Sequence, residues 1–355
     1  MTTPLAAAEG LAAGRTGTRL ASSSHLLRRL VRRPDGLIGL FVLVTFAVLA
    51  IIPDLIVGPL QTAITAEGPR LGAPSAVNLL GTDELGRDIV NLTVHATRIS
   101  MVIGLLATII TVFIGAFLGI VSGYVGGRLD AALMRIADFF LVIPTFVLAI
   151  ILTSIIRDLA GSGAREVFGI RFGLIAIVFV IGITSWSSTA RIIRSQTLSL
   201  RERAFVDRAR VIGAGGGHIM RRHILPNVIN LIVANAVLVF AGAVLTETTL
   251  SFVGLGDPFQ PSWGQLLDAA REVGAPSLGA WWYFVPPGLC IILVVFAFTL
   301  VGSALDDLLN PKRRRADEHH DLRPRRGRAR RFLARRCRAA AAETGRSGCA
   351  APRRR

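Results

Sequence analysis

At 355 residues the chain is long enough for two soluble domains, but its composition argues against that class. Hydrophobic residues alone make up 52%, already above the roughly 45–50% that apolar residues and glycine together reach in a soluble domain, while charged residues are 18% and mean hydropathy is +0.57. The net charge of +17 belongs to a chain with only three cysteines, Cys290, Cys337 and Cys349, too few and too scattered for a disulfide frame or a CxxC metal site.

A bilayer core about 30 Å thick needs around 20 apolar residues in a helix. Six stretches meet that length, and together they predict an all-α integral membrane protein: 37–57, 99–121, 139–156, 172–190, 228–246 and 283–305. The first is preceded by some 35 residues and is as long as a full span, which does not suit a cleavable signal peptide. In the second, Gly115, Gly119 and Gly123 repeat every four residues, a spacing that lets another helix approach closely. A lipid-facing helix could also tolerate them, but three in register favour a packed interface. The third stretch is the shortest and extends back toward Leu133; Pro144 within it predicts a kink, which suits a helix lining a path but is also common elsewhere. Strand-period alternation is absent, so a membrane β-barrel is not expected.

Between the fourth and fifth stretches, Ser199-Leu200-Arg201-Glu202 has capping-box spacing and predicts a short helix through about Arg210. Gly213 and then Gly215-Gly216-Gly217 are expected to stop it, and Pro226 to open the fifth span. Such a helix, exposed and partly apolar, is a candidate docking surface for a partner; the alternative is a helix lying on the membrane.

Lys and Arg number 33 in the two termini and the loops 123–138 and 191–227, against 7 in the remaining loops. By the positive-inside rule, both termini and the 191–227 loop face the cytoplasm. The arginine-rich tail could suggest nucleic acid, but it has almost no aromatic interleaving and no recognised module; membrane lipid headgroups are the expected partner, at about 1 kcal/mol per basic residue near the surface.

Phe205-Val206-Asp207-Arg208-Ala209-Arg210-Val211-Ile212-Gly213, followed by Arg222-His223-Ile224-Leu225-Pro226-Asn227, resembles the EAA signature of bacterial ABC-importer permeases. Gly81-Thr82-Asp83-Glu84-Leu85-Gly86-Arg87-Asp88 with Arg98 and Ser100, Leu245-Thr246-Glu247, Leu250-Ser251-Phe252-Val253-Gly254-Leu255-Gly256 and Pro261-Ser262-Trp263-Gly264 narrow the resemblance to permeases of dipeptide, oligopeptide and nickel importers. It covers about 28–311. Asp207 and Arg208 depart from the usual Glu and Ala, the three glycines replace a polar helix start, and Asn91, Leu92 and Ala96 are also unusual; the spacing is kept.

The resemblance implies six transmembrane helices in the type I, MetI-like permease fold. On that reading residues 1–35 form a cytoplasmic segment, 36–98 the first helix with an external loop, 99–305 the five-helix core, and 306–355 a basic, disordered tail. It implies a second, related permease, two ATPase subunits carrying ATP and Mg, and an external substrate-binding protein. Phe205, Val206, Asp207, Arg208, Ala209, Arg210 and Gly213 would couple to the ATPase, with Phe205 and Val206 giving apolar contact. Asp83, Arg87, Asp88 and Glu247 would serve the external gate or a structural role; Glu247 reads equally as an interfacial carboxylate.

No cofactor or metal is expected on this chain, nor catalysis. A Walker A loop needs Gly-x4-Gly-Lys-Ser/Thr, and the sole lysine is Lys312 in Asn310-Pro311-Lys312-Arg313. His218 and His223, five apart, do not share an α-helical face and read as polar loop residues. The runner-up, a stand-alone secondary transporter, would want ionisable groups or broken helices at mid-membrane, of which the sequence shows almost none. Peptide, nickel or another small solute all fit as cargo.

Overall fold

The apolar runs fold as long helices whose ends are set by glycine, proline and tertiary contact rather than by where hydrophobicity fades. A computed structural model of the chain describes residues 30–160, 166–167, 170–257 and 260–309. The N-terminal segment before residue 30 and the tail beyond residue 309 lie outside the described residues. Contacts divide the chain into two units, 1–305 and 306–355, and of the second only the end of the last helix, through residue 309, is described.

Helix α1 (Pro34–Ile51) opens on proline, whose missing N–H costs nothing there, with Asp35 in its first turn. It stops before Pro53, and α2 (Pro53–Val57) is a separate short turn, so the first apolar stretch is two helices and not one. An irregular segment, 58–88, leads to α3 (Ile89–Val125), whose N-cap Asp88 accepts from the Val90 N–H at 3.1 Å. At 37 residues, α3 starts ten residues earlier than hydrophobicity suggested. Its polar first turns are covered by the preceding loop. Asn91 donates to the Val57 and Pro59 carbonyls (2.9 and 3.0 Å) and accepts from the Gln61 N–H (3.0 Å), while His95 Nε2–H donates to Gly58 O (3.0 Å).

Gly126 and Gly127, both at positive φ, turn the chain into α4 (Gly127–Val142). The 123–138 stretch is therefore mostly helix, not a turn. Its two aspartates are matched across to α6 (Phe172–Arg201): Arg194 donates to both Asp130 oxygens at 2.5 and 2.6 Å, and Arg191 pairs with Asp138. Ile143, extended before Pro144, separates α4 from α5 (Thr145–Ala160), and the two axes meet at 90°. That is a break, not the kink expected. A two-residue antiparallel pair, Glu166–Val167 (β1) with Ile170–Arg171 (β2), precedes α6.

The close α3–α6 contact runs along the glycines. A Cβ added at Gly115 would lie 2.7 Å from Thr189 Cβ, at Gly119 2.6 Å from Ala190 O, and at Gly123 2.8 Å from Thr197 Cβ. Small residues at this spacing let two backbones approach in the absence of a hydrophobic drive between helices. Asn235 of α9 (Leu225–Leu250) donates to Thr189 Oγ1 at 3.0 Å, joining a third helix to the same line.

Helix α6 continues to Arg201, so Ser199–Glu202 is its last turn and not a capped start. The pattern fails because Ser199 stays helical. The next helix, α7 (Ala204–Val211), begins after extended Arg203 with no side-chain cap. Then come α8 (Gly216–Ile219), a π turn at Met220–Ile224, α9, and a second π turn at Ser251–Leu255. Gly216 and Gly217 thus open a helix instead of stopping one. A reciprocal capping box does occur at Ser262 and Gln265, opening the amphipathic α10 (Trp263–Glu272). Trp263 is fully buried there; its N–H donates to Ser100 Oγ at 3.3 Å, its indole N–H to Thr93 O at 3.2 Å, and its ring meets Phe46 edge-on. The last helix, α11 (Trp281–Leu309), begins beside the 58–88 segment, where Trp282 donates to Thr82 O at 3.4 Å.

Among the described residues, five helices are long and apolar enough to cross a membrane, or six spans result if α4 and α5 together form one.

Candidate functional site

Helix α7 occupies the connection between α6 and α9. Its sequence alternates apolar and charged residues too densely for period alone to choose a buried face, and packing chooses it. Val206 and Ala209 are buried in a cluster with Ile193, Ile219, Ile224 and Val228. Phe205 is half-buried, its ring 6.4 Å from that of His223. Asp207 and Arg210 form an exposed ion pair at 3.3 Å, Arg210 lies over the Tyr124 ring, and Arg208 donates to Ala204 O at 3.2 Å.

The helix ends in a Schellman motif. Gly213, at φ +85°, donates to Arg210 O at 2.9 Å, and Ala214 donates to Ala209 O at 3.0 Å. The turn carries Val211 and Ile212 outward, 88% and 85% exposed. Neither was among the coupling residues expected from the sequence. Val206, expected to offer contact area outward, spends it inside this chain. The sequence signals for Val211 and Ile212 are their place next to the glycine stop and inside the stretch that carries the family resemblance.

Arg201, at the end of α6, donates to Tyr124 O at 3.2 Å, which ties the approach to α7 to the end of α3. The π turn adds a residue to the helical repeat and brings His218 and His223 to 6.0 Å between ring centroids. Five-residue spacing does place them side by side, contrary to the sequence expectation. Among the described residues no group of three or more His, Cys, Asp or Glu could hold a metal ion.

At the other end of the bundle, the Gly81–Asp88 segment is a hydrogen-bonded knot. Asp83 is fully buried and accepts from the Leu85 N–H (2.9 Å), the Arg87 N–H (2.8 Å) and Arg87 Nε–H (2.7 Å). Glu84 accepts from the Tyr283 hydroxyl, and Asp88 caps α3. Asp83 closes the segment on itself, while Asp88 fastens it to α3 and Glu84 to α11. Asp83→Ala is expected to lower the thermal midpoint of the purified protein by about 5 °C, since hydrogen bonds to a charged group contribute about 1.5–3 kcal/mol. An unchanged midpoint in differential scanning fluorimetry would show that the knot adds no stability.

Glu247 lies on α9 and is fully buried, its Oε1 accepting from Ser251 Oγ at 2.8 Å while Oε2 has no partner among the described residues. It is not a carboxylate at a wet interface in this arrangement. The structure does not bring it to Asp83, Arg87 or Asp88 through any bond among the described residues.

Membrane-length helices packed on small residues, with a firmly closed short helix projecting between two of them, define a multi-pass membrane subunit. The chain belongs to the family of binding-protein-dependent transport system inner membrane components, which matches residues 115–315. Among its relatives, the dipeptide transport system permease protein DppC of Bacillus subtilis (strain 168) is 33% identical over 300 residues, 83% of this chain and 88% of that protein. A Brucella suis biovar 1 protein provisionally named a peptide permease is 36% identical over 242 residues, 68% of this chain and 75% of its own length. A second from the same organism, provisionally named a peptide transport system permease, is 32% identical over 286 residues, 80% and 90% of the two chains.

Proposed function

We propose that this chain forms half of the translocation path of an ABC importer for dipeptides or oligopeptides, worked by alternating access. A second, related permease completes the path, two separate ATPase subunits bind ATP and Mg and hydrolyse it, and an external binding protein delivers the cargo. Both termini and the 191–227 loop face the cytoplasm. The peptide assignment is supported by the names of the relatives. The observation that carries the mechanism is α7, presenting Val211 and Ile212 between two spans where an ATPase can seat on them.

The broken α4–α5 span removes one argument the sequence offered against a stand-alone secondary transporter. Co-purification separates the two readings. The transporter expressed with its neighbouring subunits should retain ATPase stoichiometrically and take up a labelled dipeptide only with ATP; uptake by this chain alone, driven by an ion gradient, would overturn the assignment. Nickel uptake in place of dipeptide uptake would overturn the cargo alone.

Orientation has its own test. In a background without the three native cysteines, Leu79→Cys is expected to react with an impermeant maleimide added to intact cells, and Arg203→Cys only after permeabilisation. The reverse pattern would invert the topology.

A further inference from the structure

Asp83 and Glu247 are both wholly buried, and they differ in what compensates their charge. Arg87 lies beside Asp83, whereas no basic side chain pairs with Glu247 among the described residues. An ionised carboxylate out of reach of water is costly unless its charge is both hydrogen-bonded and compensated. Glu247 stands on α9 one turn before the π turn at Ser251–Leu255. Its Oε1 accepts from Ser251 Oγ, but its Oε2 and the neighbouring Thr248 Oγ1 are buried with no hydrogen-bond partner among the described residues.

Three helices close around this carboxylate. Ser100 of α3, Thr248 of α9 and Ser262 at the start of α10 turn their hydroxyls toward it, beside Ser251. Packing there is tight, since a Cβ at Gly264 would lie 2.4 Å from Thr248 O and 2.7 Å from Ser251 Cβ. The start of α10 brings roughly half a positive charge, and the closing turns of α9 bring the opposite. The Trp263 and Gln265 N–H groups donate to Ser100 Oγ (3.3 Å) and Ser262 Oγ (3.4 Å), not to the carboxylate. Each of those hydroxyls therefore keeps a second lone pair. A proton on Oε2 would cancel the charge but would need an acceptor, and no oxygen stands in hydrogen-bond geometry to take it. A water would bond Oε2 and Thr248 Oγ1 and leave the charge in place. A cation answers both needs.

We propose that Glu247 Oε2, Thr248 Oγ1, Ser100 Oγ and Ser262 Oγ bind one monovalent alkali cation, which fastens the start of α10 to α3 and α9. All four ligands are oxygen, the donor type that hard cations take. One carboxylate balances one positive charge; a divalent ion would be left with a surplus, and no group of three or more acidic, His or Cys side chains is present among the described residues to absorb it. The site shares no residue with α7 and depends neither on the cargo nor on what seats against Val211 and Ile212.

The test uses the full chain in detergent, purified with whatever subunits accompany it, at constant ionic strength. Replacing choline chloride by sodium chloride, from about 1 to about 100 mM, is expected to raise the thermal midpoint by about 3 °C. Potassium chloride is run beside it, and a rise with potassium alone would assign the same site to the larger ion. Glu247→Gln keeps the shape and removes the charge; Thr248→Val keeps the shape and removes only the hydroxyl. Both are expected to abolish the rise and to weaken binding of radioactive sodium, or of a potassium tracer if that is the ion, at least tenfold in a scintillation proximity assay. In choline chloride Thr248→Val should match or exceed the wild-type midpoint, because the hydroxyl it removes has no partner within the chain. That comparison separates a lost ion from a damaged fold, even where Glu247→Gln fails to accumulate. No rise with either ion, or a rise that Thr248→Val retains in full, would overturn the inference.

Discussion

Replacing Gly119 with leucine is expected to deplete the protein from the membrane fraction and, for whatever survives purification, to lower the thermal midpoint by about 10 °C or more. A Cβ there would lie 2.6 Å from Ala190 O and 2.9 Å from Ile193 Cβ. Neither atom can rotate aside, because one is backbone and the other is the first atom of a branched side chain in a helix. Helices α3 and α6 would have to part, and the neighbouring contacts at Gly115 and Gly123 would open with them. Overpacking typically costs about 1–3 kcal/mol; separating the stripe adds the lost dispersion contacts on both sides. Gly242→Ala on α9 is the comparison, since a Cβ there meets nothing within 4 Å. If Gly119→Ala and Gly242→Ala have the same midpoint, α3 and α6 do not depend on a bare backbone at Gly119.

The second large effect is expected at the tip of α7. Val211→Asp combined with Ile212→Asp should leave the permease in the membrane at normal abundance while abolishing both ATPase retention and ATP-driven uptake. Both side chains are almost wholly exposed, so the folded chain loses little. Seated on a partner, each would contribute about 1.5–3 kcal/mol, and the pair therefore several orders of magnitude in affinity. Val206→Asp is the instructive contrast. It puts a carboxylate into the closed cluster with Ile219 and Ile224, and should reduce abundance instead of docking. Gly213→Ala has open space for its methyl group, so its cost is the left-handed backbone alone, about 1–2 kcal/mol. Full ATPase retention by the double variant would leave α7 without a role in docking.

The number of apolar runs, the glycine repeat and the glycine at the end of α7 could be read from residue type, because each depends on chemistry local to a few positions. Helix ends could not. Ser199 and Glu202 have the spacing of a capping box, but the same spacing fits inside a helix, and there the backbone simply continues. The box that forms, at Ser262 and Gln265, was present in the sequence and carried no membrane signal to draw notice. Pro144 announced a lost hydrogen bond; the 90° turn is set by what α4 and α5 each pack against on α6. For α7, eight residues rich in arginine offer no clear stripe, so the buried roles of Val206 and Ala209 emerged only from their neighbours. The meeting of His218 and His223 depends on a π turn, which has no reliable signature in residue type.

Helix α6 is one unbroken rod of 30 residues, about 45 Å long, with α7 hinged directly to its end at Glu202 and Arg203. A rod of that length acts as a lever arm: a tilt of about 5° about one end sweeps the other through roughly 4 Å, by the same rise per residue. Because the glycine stripe leaves no slack between α6 and α3, the two would swing together as a single stiff beam. Compliance is then left to the elbow between α4 and α5, the one place in this span where the helix ladder is already open and bending breaks no further hydrogen bond.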